Sequence, residues 1–143
     1  LEPELERVPA LERDLAYLLG DGWHRLVSPT APTRTYVARL EQMADHPAGF
    51  VAHHYTRYLG DVSGGQFISE AARGTYGFDG SPGVCFYDFG ALGSLPKFRA
   101  RYRERLDALD LSETGEHALL RETRLAYQLN TEVLADLGRT YAP

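Results

Sequence analysis

The chain has 143 residues, 43% hydrophobic and 24% charged, a balance that suits one globular domain around a single core and excludes disorder over the full length. Its formal net charge of -5 argues against a general nucleic-acid binder, and no apolar run approaches membrane-spanning length. Cys85 is the only cysteine, which excludes an intramolecular disulfide framework and a thiolate metal cluster and favours a reducing, cytoplasmic setting.

The opening residues, LEPELERVP, carry no methionine and read as a connecting segment, so the expectation is the later part of a longer protein. ALERDLAYLLG then places Leu11, Leu15 and Leu18 on one helical face and ends at Gly20, a natural C-terminal cap. DGWHRLVSPTAPT, with Pro29 and Pro32, reads as a connection. TYVARLEQMA sets Tyr36 or Val37, Leu40 and Met43 at helical spacing. Asp45, His46 and Pro47 break the pattern and restart it, Pro47 suiting a first helical turn.

From residue 48 the helical pattern runs to Leu59, meets Gly60, Gly64 and Gly65, and resumes through FISEAARG. Residues 74–83 form a loop rich in Gly, Ser and Pro. VCFYDF, residues 84–89, has strand propensity but no partner strand, and reads as a buried extended segment. LPKFRARYRERLDAL is helical with Phe98, Tyr102, Leu106 and Leu109 facing the core. Ser112 is placed to cap a final helix with Leu125, Leu129 and Val133 inward, closing near Gly138. The sum is an all-α domain of about five helices.

RYLGDVSGGQ, residues 57–66, is the unusual stretch. A helix that continues through three glycines gives up about 3 kcal/mol of propensity, at about 1 kcal/mol each. Gly60 and Gly64 are i, i+4 neighbours and would leave a strip of bare backbone on one face. A turn, close helix packing and contact with a flat ligand are all compatible with that pattern. Arg57 and Asp61 are also i, i+4, with the acid C-terminal to the base, the weaker order for a helix pair. A carboxylate beside bare glycine could instead organise water near a ligand, and Tyr55 and Tyr58 add hydroxyls on the same helix.

KFRARYRER sets Lys97, Arg99, Arg101, Arg103 and Arg105 against Glu104 on an acidic protein. A solvated face explains this. Alternatively, Arg99 and Arg103 flank Phe98 and Tyr102, so their heads suit the carboxylates or phosphates of a buried ligand. The histidines, His24, His46, His53, His54 and His117, show no metal-ligand spacing and read as capping, surface or core residues. No nucleophilic triad and no phosphate-binding glycine loop is present in the pattern.

HHYTRYLGDVSGGQ resembles the signature segment of the biliverdin-producing heme oxygenases of bacterial type. PALERDLAYLLGDGW, TYVARLEQ, KFRARYRERLDAL and LAYQLNTEVLADL follow in that family's order, so the resemblance covers nearly the whole chain. It implies an all-α fold with heme between a proximal and a distal helix, the latter kinked at its glycines. By this resemblance Gly60, Gly64 and Gly65 are the distal-helix glycines, Asp61 anchors the distal water network, and Arg57 supports it. The same resemblance implies that Tyr55 lies near a heme propionate and that Arg99 and Arg103 pair with propionates. Tyr127 replaces a family phenylalanine near heme, and Asn130 matches a family asparagine.

The resemblance also implies heme as both cofactor and substrate, opened to biliverdin, CO and free iron with O2 and electrons from a reductase or ferredoxin. One departure is an absence: the family's proximal histidine lies upstream of everything present here, and none of the five histidines matches it. The expectation is therefore a partial heme oxygenase domain over residues 1–143, without its proximal helix and with impaired activity. Two alternatives stand beside it, a heme-binding or heme-trafficking module without turnover and an inactive fragment. No metal ligand is assigned within the chain.

Overall fold

The computed structural model describes residues 3–141, and among these it contains six α-helices and no strand. They are α1 (Val8–Leu19), α2 (Ala31–Met43), α3 (Pro47–His54), α4 (Gly60–Tyr76), α5 (Leu95–Asp107) and α6 (Glu113–Tyr141). No helix among the described residues is long and apolar enough to cross a membrane. The chain divides into two compact units, residues 1–28 with 58–109, and residues 29–57 with 110–143.

In the first unit a core of Leu5, Val62, Phe89 and Phe98 is flanked by Tyr58, Leu92, Leu95 and Tyr102. The expected inward face of α1 is corrected here. Leu11 and Leu18 are exposed, while Ala10 and Asp14 are buried. The reason is that α1 packs on a short turn, Cys85–Tyr87, whose backbone amides need an acceptor, and Asp14 supplies it. Residues 84–89 are likewise not an extended segment: Cys85–Tyr87 is a single 3-10 turn leading to the buried Phe89.

In the second unit α6 packs against α3 and α2. Gly49 permits close approach, since a Cβ there would lie 2.5 Å from Met43 Sδ. Tyr36, not Val37, is the buried residue of α2, and Leu40 is exposed because Arg39 takes the inward position beside Glu122. α2 also begins earlier than expected, at Ala31, with Pro32 in its first turn where a missing N–H costs nothing. Ser112 caps α6 as expected, accepting the Gly115 N–H on Oγ at 3.2 Å. The helix then runs through Gly138 to Tyr141.

The glycine stretch neither turns nor unwinds. α3 passes into a π-helical turn, Tyr55–Leu59, and α4 continues unbroken through Gly60, Gly64 and Gly65 to a left-handed C-cap at Gly77. A single π turn inserts one residue into the helical register, and such turns gather at functional sites.

Candidate functional site

Within the first unit the three glycines of α4 have different surroundings. A Cβ built on Gly60 or Gly64 meets no heavy atom within 4 Å outside its own helix, so the two form a strip of uncovered backbone one turn apart. Gly65, a further 100° around the helix, is buried, and its Cβ would lie 2.6 Å from Tyr87 Cδ1. Asp61 is partly buried in the first turn of α4, and with Gly65 it is i, i+4 on the side adjoining the strip.

On α5 of the same unit, Phe98 is buried in the core and Tyr102 half-buried beside it, their rings 6.2 Å apart. Arg99 is half-buried and Arg103 exposed, one turn apart on one face. The Arg101 guanidinium lies 5.6 Å from the Phe98 ring centroid, so the basic helix lays one cation along its own apolar anchor. A cavity of about 470 Å³ in this unit borders Gln66, Ser69, Glu70, Arg73, Tyr87 and Asp88, and none of the expected site residues lines it.

In the second unit Arg57, in the π turn, donates from Nη1 to Asn130 Oδ1 on α6 at 3.0 Å. Tyr55 is half-buried, and Tyr127, one turn before Thr131, is exposed. Two turns toward the start of α6, Glu122 receives both Nε and Nη2 of Arg39, at 2.8 and 2.6 Å. Its Oε1 also accepts from His53 Nε2 at 2.9 Å, with His53 buried against the Tyr36 ring. His53 Nδ1 is buried without a hydrogen-bond partner. The hydrogen bond from Arg39 holds the Glu122 carboxyl below the usual range, with burial opposing and His53 assisting. The same bond raises the Arg39 pKa. Burial pushes the His54 imidazole down.

The first unit thus sets an uncovered glycine strip beside a carboxylate on a helix entered by a π turn. The family model described as heme oxygenase matches residues 1–136. The chain belongs to the heme oxygenase family. It is 37% identical over 139 residues to heme oxygenase 2 of Synechocystis, covering 94% of this chain and 56% of that protein. To rat heme oxygenase 1 it is 37% identical over 136 residues, covering 94% and 47%.

Among solved structures, heme oxygenase-2 of Synechocystis in complex with heme and NO superposes with a TM-score of 0.91 at 35% identity, covering 98% of this chain and 59% of that one. Heme oxygenase from Leptospira interrogans superposes at 0.87 and 32% identity, covering 94% and 66%. The chain spans about half the length of the curated relatives it matches. The all-α fold is that of the heme oxygenases.

The residues expected from the sequence thus fall into two sets. Gly60, Asp61, Gly64, Gly65, Arg99 and Arg103 sit on α4 and α5 of the first unit, and Tyr55, Arg57, Tyr127 and Asn130 belong to the second. Arg57 and Asn130 are joined directly. Sequence reasoning did not find Asp14 and Arg7, which hydrogen-bond to the backbone of residues 85–88, Tyr87, which lies against Gly65, or Glu122, which joins Arg39 to His53. One signal was available. An aspartate on the inward side of an amphipathic helix, as Asp14 is, needs buried donors.

Proposed function

We propose that the chain is the glycine-helix part of a heme oxygenase that opens heme to biliverdin, CO and free iron. The observation that carries this is the uncovered strip at Gly60 and Gly64, kept within an unbroken helix beside Asp61. A flat macrocycle is the ligand shape that such a strip accommodates, because any side chain there would hold it off the helix. When bound, heme supplies the iron at which O2 is reduced, by electrons from a ferredoxin or reductase, and the ring carbon that is oxidised.

The chain's own residues orient and hydrate. Asp61 holds ordered water and relays protons through it, a role that needs a carboxylate with access to solvent, and Asp61 is only partly buried. Arg57, fixed by Asn130, keeps the π turn in place, and Tyr55 adds a hydroxyl to its first residue. Arg99 and Arg103 bind the propionates as charge-assisted pairs and so set how heme is rotated. Gly65, Tyr127 and Asn130 complete the binding residues, Gly65 by letting α4 sit close against Tyr87. No histidine of this chain is assigned to the iron. A cytoplasmic setting fits the single free thiol of Cys85.

The test is a chimera in which this chain replaces its matching segment of the Synechocystis protein. Given hemin, a reductant and O2, it should form biliverdin, read from its absorption. A chimera that holds hemin and never forms biliverdin would replace the oxygenase reading with that of a heme carrier.

A further inference from the structure

The turn that braces α4 is held by two side chains of opposite charge from the first fourteen residues. Asp14, buried within α1, accepts the Cys85 N–H on Oδ1 at 2.8 Å and the Phe86 N–H on Oδ2 at 2.7 Å. Arg7 Nη1 donates to the carbonyl oxygens of Asp88 at 2.6 Å and Phe86 at 3.3 Å, and its guanidinium stacks 4.8 Å from the Phe89 ring centroid. The segment has no strand partner, so these bonds satisfy backbone groups that burial would otherwise leave unpaired. Asp14 is bidentate, and it meets both amides at the start of the turn.

Tyr87 is the third residue of that turn, and its ring lies on the α-carbon of Gly65. Asp61 stands one turn before Gly65 on the same side of α4, and the Gly60 and Gly64 strip adjoins it. A bare α-carbon under an aromatic ring fixes the rotation of a helix about its axis more tightly than contact through two flexible side chains, because the glycine side has no rotamer to absorb a shift. We propose that Asp14 is a positioning residue for the glycine helix. Through the Cys85–Tyr87 turn and the Tyr87 ring, it sets the rotation of α4, and hence where Asp61 and the glycine strip face.

This inference rests on the heme reading for its consequence but not for its mechanics, and the experiment separates them. Amide exchange across α4 in the unliganded chain reads the brace alone. Asp14→Ala should raise exchange at residues 64–69 about tenfold or more, with α6 unchanged, as expected for a local opening. Asp14→Asn keeps one acceptor and should fall between. Tyr87→Ala should open the same amides with Asp14 intact, and adding Asp14→Ala to it should then change them little, since the transmitting ring is gone.

Equal exchange in the folded Asp14→Ala chain, or an Asp14 effect undiminished without Tyr87, overturns the proposal. If Asp14→Ala does not fold, the comparison of Asp14→Asn with Tyr87→Ala decides it in the same way. In the chimera, Asp14→Ala should shift the hemin Soret band as well as weaken hemin binding. An unsubstituted chimera that takes up no hemin would count against the heme reading while leaving the exchange result standing.

Discussion

Tyr87 lies across the α-carbon of Gly65, so that a methyl group at residue 65 would come within 2.6 Å of Tyr87 Cδ1. One residue earlier, at Gly64, the same methyl group would meet nothing within 4 Å. Adjacent glycines in one helix therefore serve different ends. Gly65→Ala should destabilise the chain by about 1–3 kcal/mol through overpacking. Gly60→Ala and Gly64→Ala should each stabilise the unliganded chain by about 0.5–1 kcal/mol through helix propensity. Both of the latter should weaken hemin binding by the chimera. Denaturant melts and hemin titrations check the pair of signs, and a Gly64→Ala protein that binds hemin normally would remove that strip from the binding surface.

Asp61→Ala in the chimera should leave hemin binding intact and depress biliverdin formation by about 100-fold or more, the scale of a lost proton-relay group. Single-turnover absorption spectra measure both at once. Loss of hemin instead would show that Asp61 serves binding and not proton delivery.

Arg99→Glu with Arg103→Glu exchanges two cations for two anions on one face of α5. If that face receives propionates, the chimera should bind hemin at least about tenfold more weakly or yield a different biliverdin isomer. Chromatography of the product and a hemin titration suffice. Unchanged values would make the basic face a solvated one.

Acid should weaken the second unit in two stages. Burial lowers the His54 pKa below its unfolded value, so stability is fully present above about pH 6.5 and declines as pH falls below it. Arg39 and His53 hold Glu122 below its unfolded value, so a second loss begins under about pH 4.3, where the unfolded chain binds the proton first. His54→Phe should remove the first stage in urea melts across this range, and Glu122→Gln the second. Removing the Glu122 charge should also cost about 2–3 kcal/mol at neutral pH, less than a fully buried pair because Arg39 is partly exposed.

Ser112→Ala should cost about 1 kcal/mol by leaving the Gly115 N–H without its side-chain acceptor. The loss should appear as faster amide exchange confined to the first turn of α6.

Helix content was legible in the sequence because it depends on local spacing: apolar positions near 3.6 residues apart, Pro47 at a first turn and Ser112 at a cap. The family signature was legible for a similar reason, since Gly60, Asp61, Gly64 and Gly65 fall within one six-residue stretch. Inward faces were less so. Leu11 and Leu18 lost to Ala10 and Asp14, and Leu40 to Arg39, because buried backbone amides and a buried carboxylate outweighed apolar side chains at those positions.

Periodicity could not decide whether the glycines end a helix, pack it or bare it for a ligand. The π turn at Tyr55–Leu59 was also hidden, as its register depends on what both flanking helices pack against. By itself the sequence determined an all-α chain of the heme oxygenase family and the set of residues to examine. Only the tertiary structure decided that Gly65 is taken by Tyr87 while Gly60 and Gly64 stay bare, and that Asp14, 72 residues before Phe86 in sequence, holds the turn that carries Tyr87. The physical reason is that a glycine's role is set by what stands opposite it, and what stands opposite is a long-range contact with no local signature.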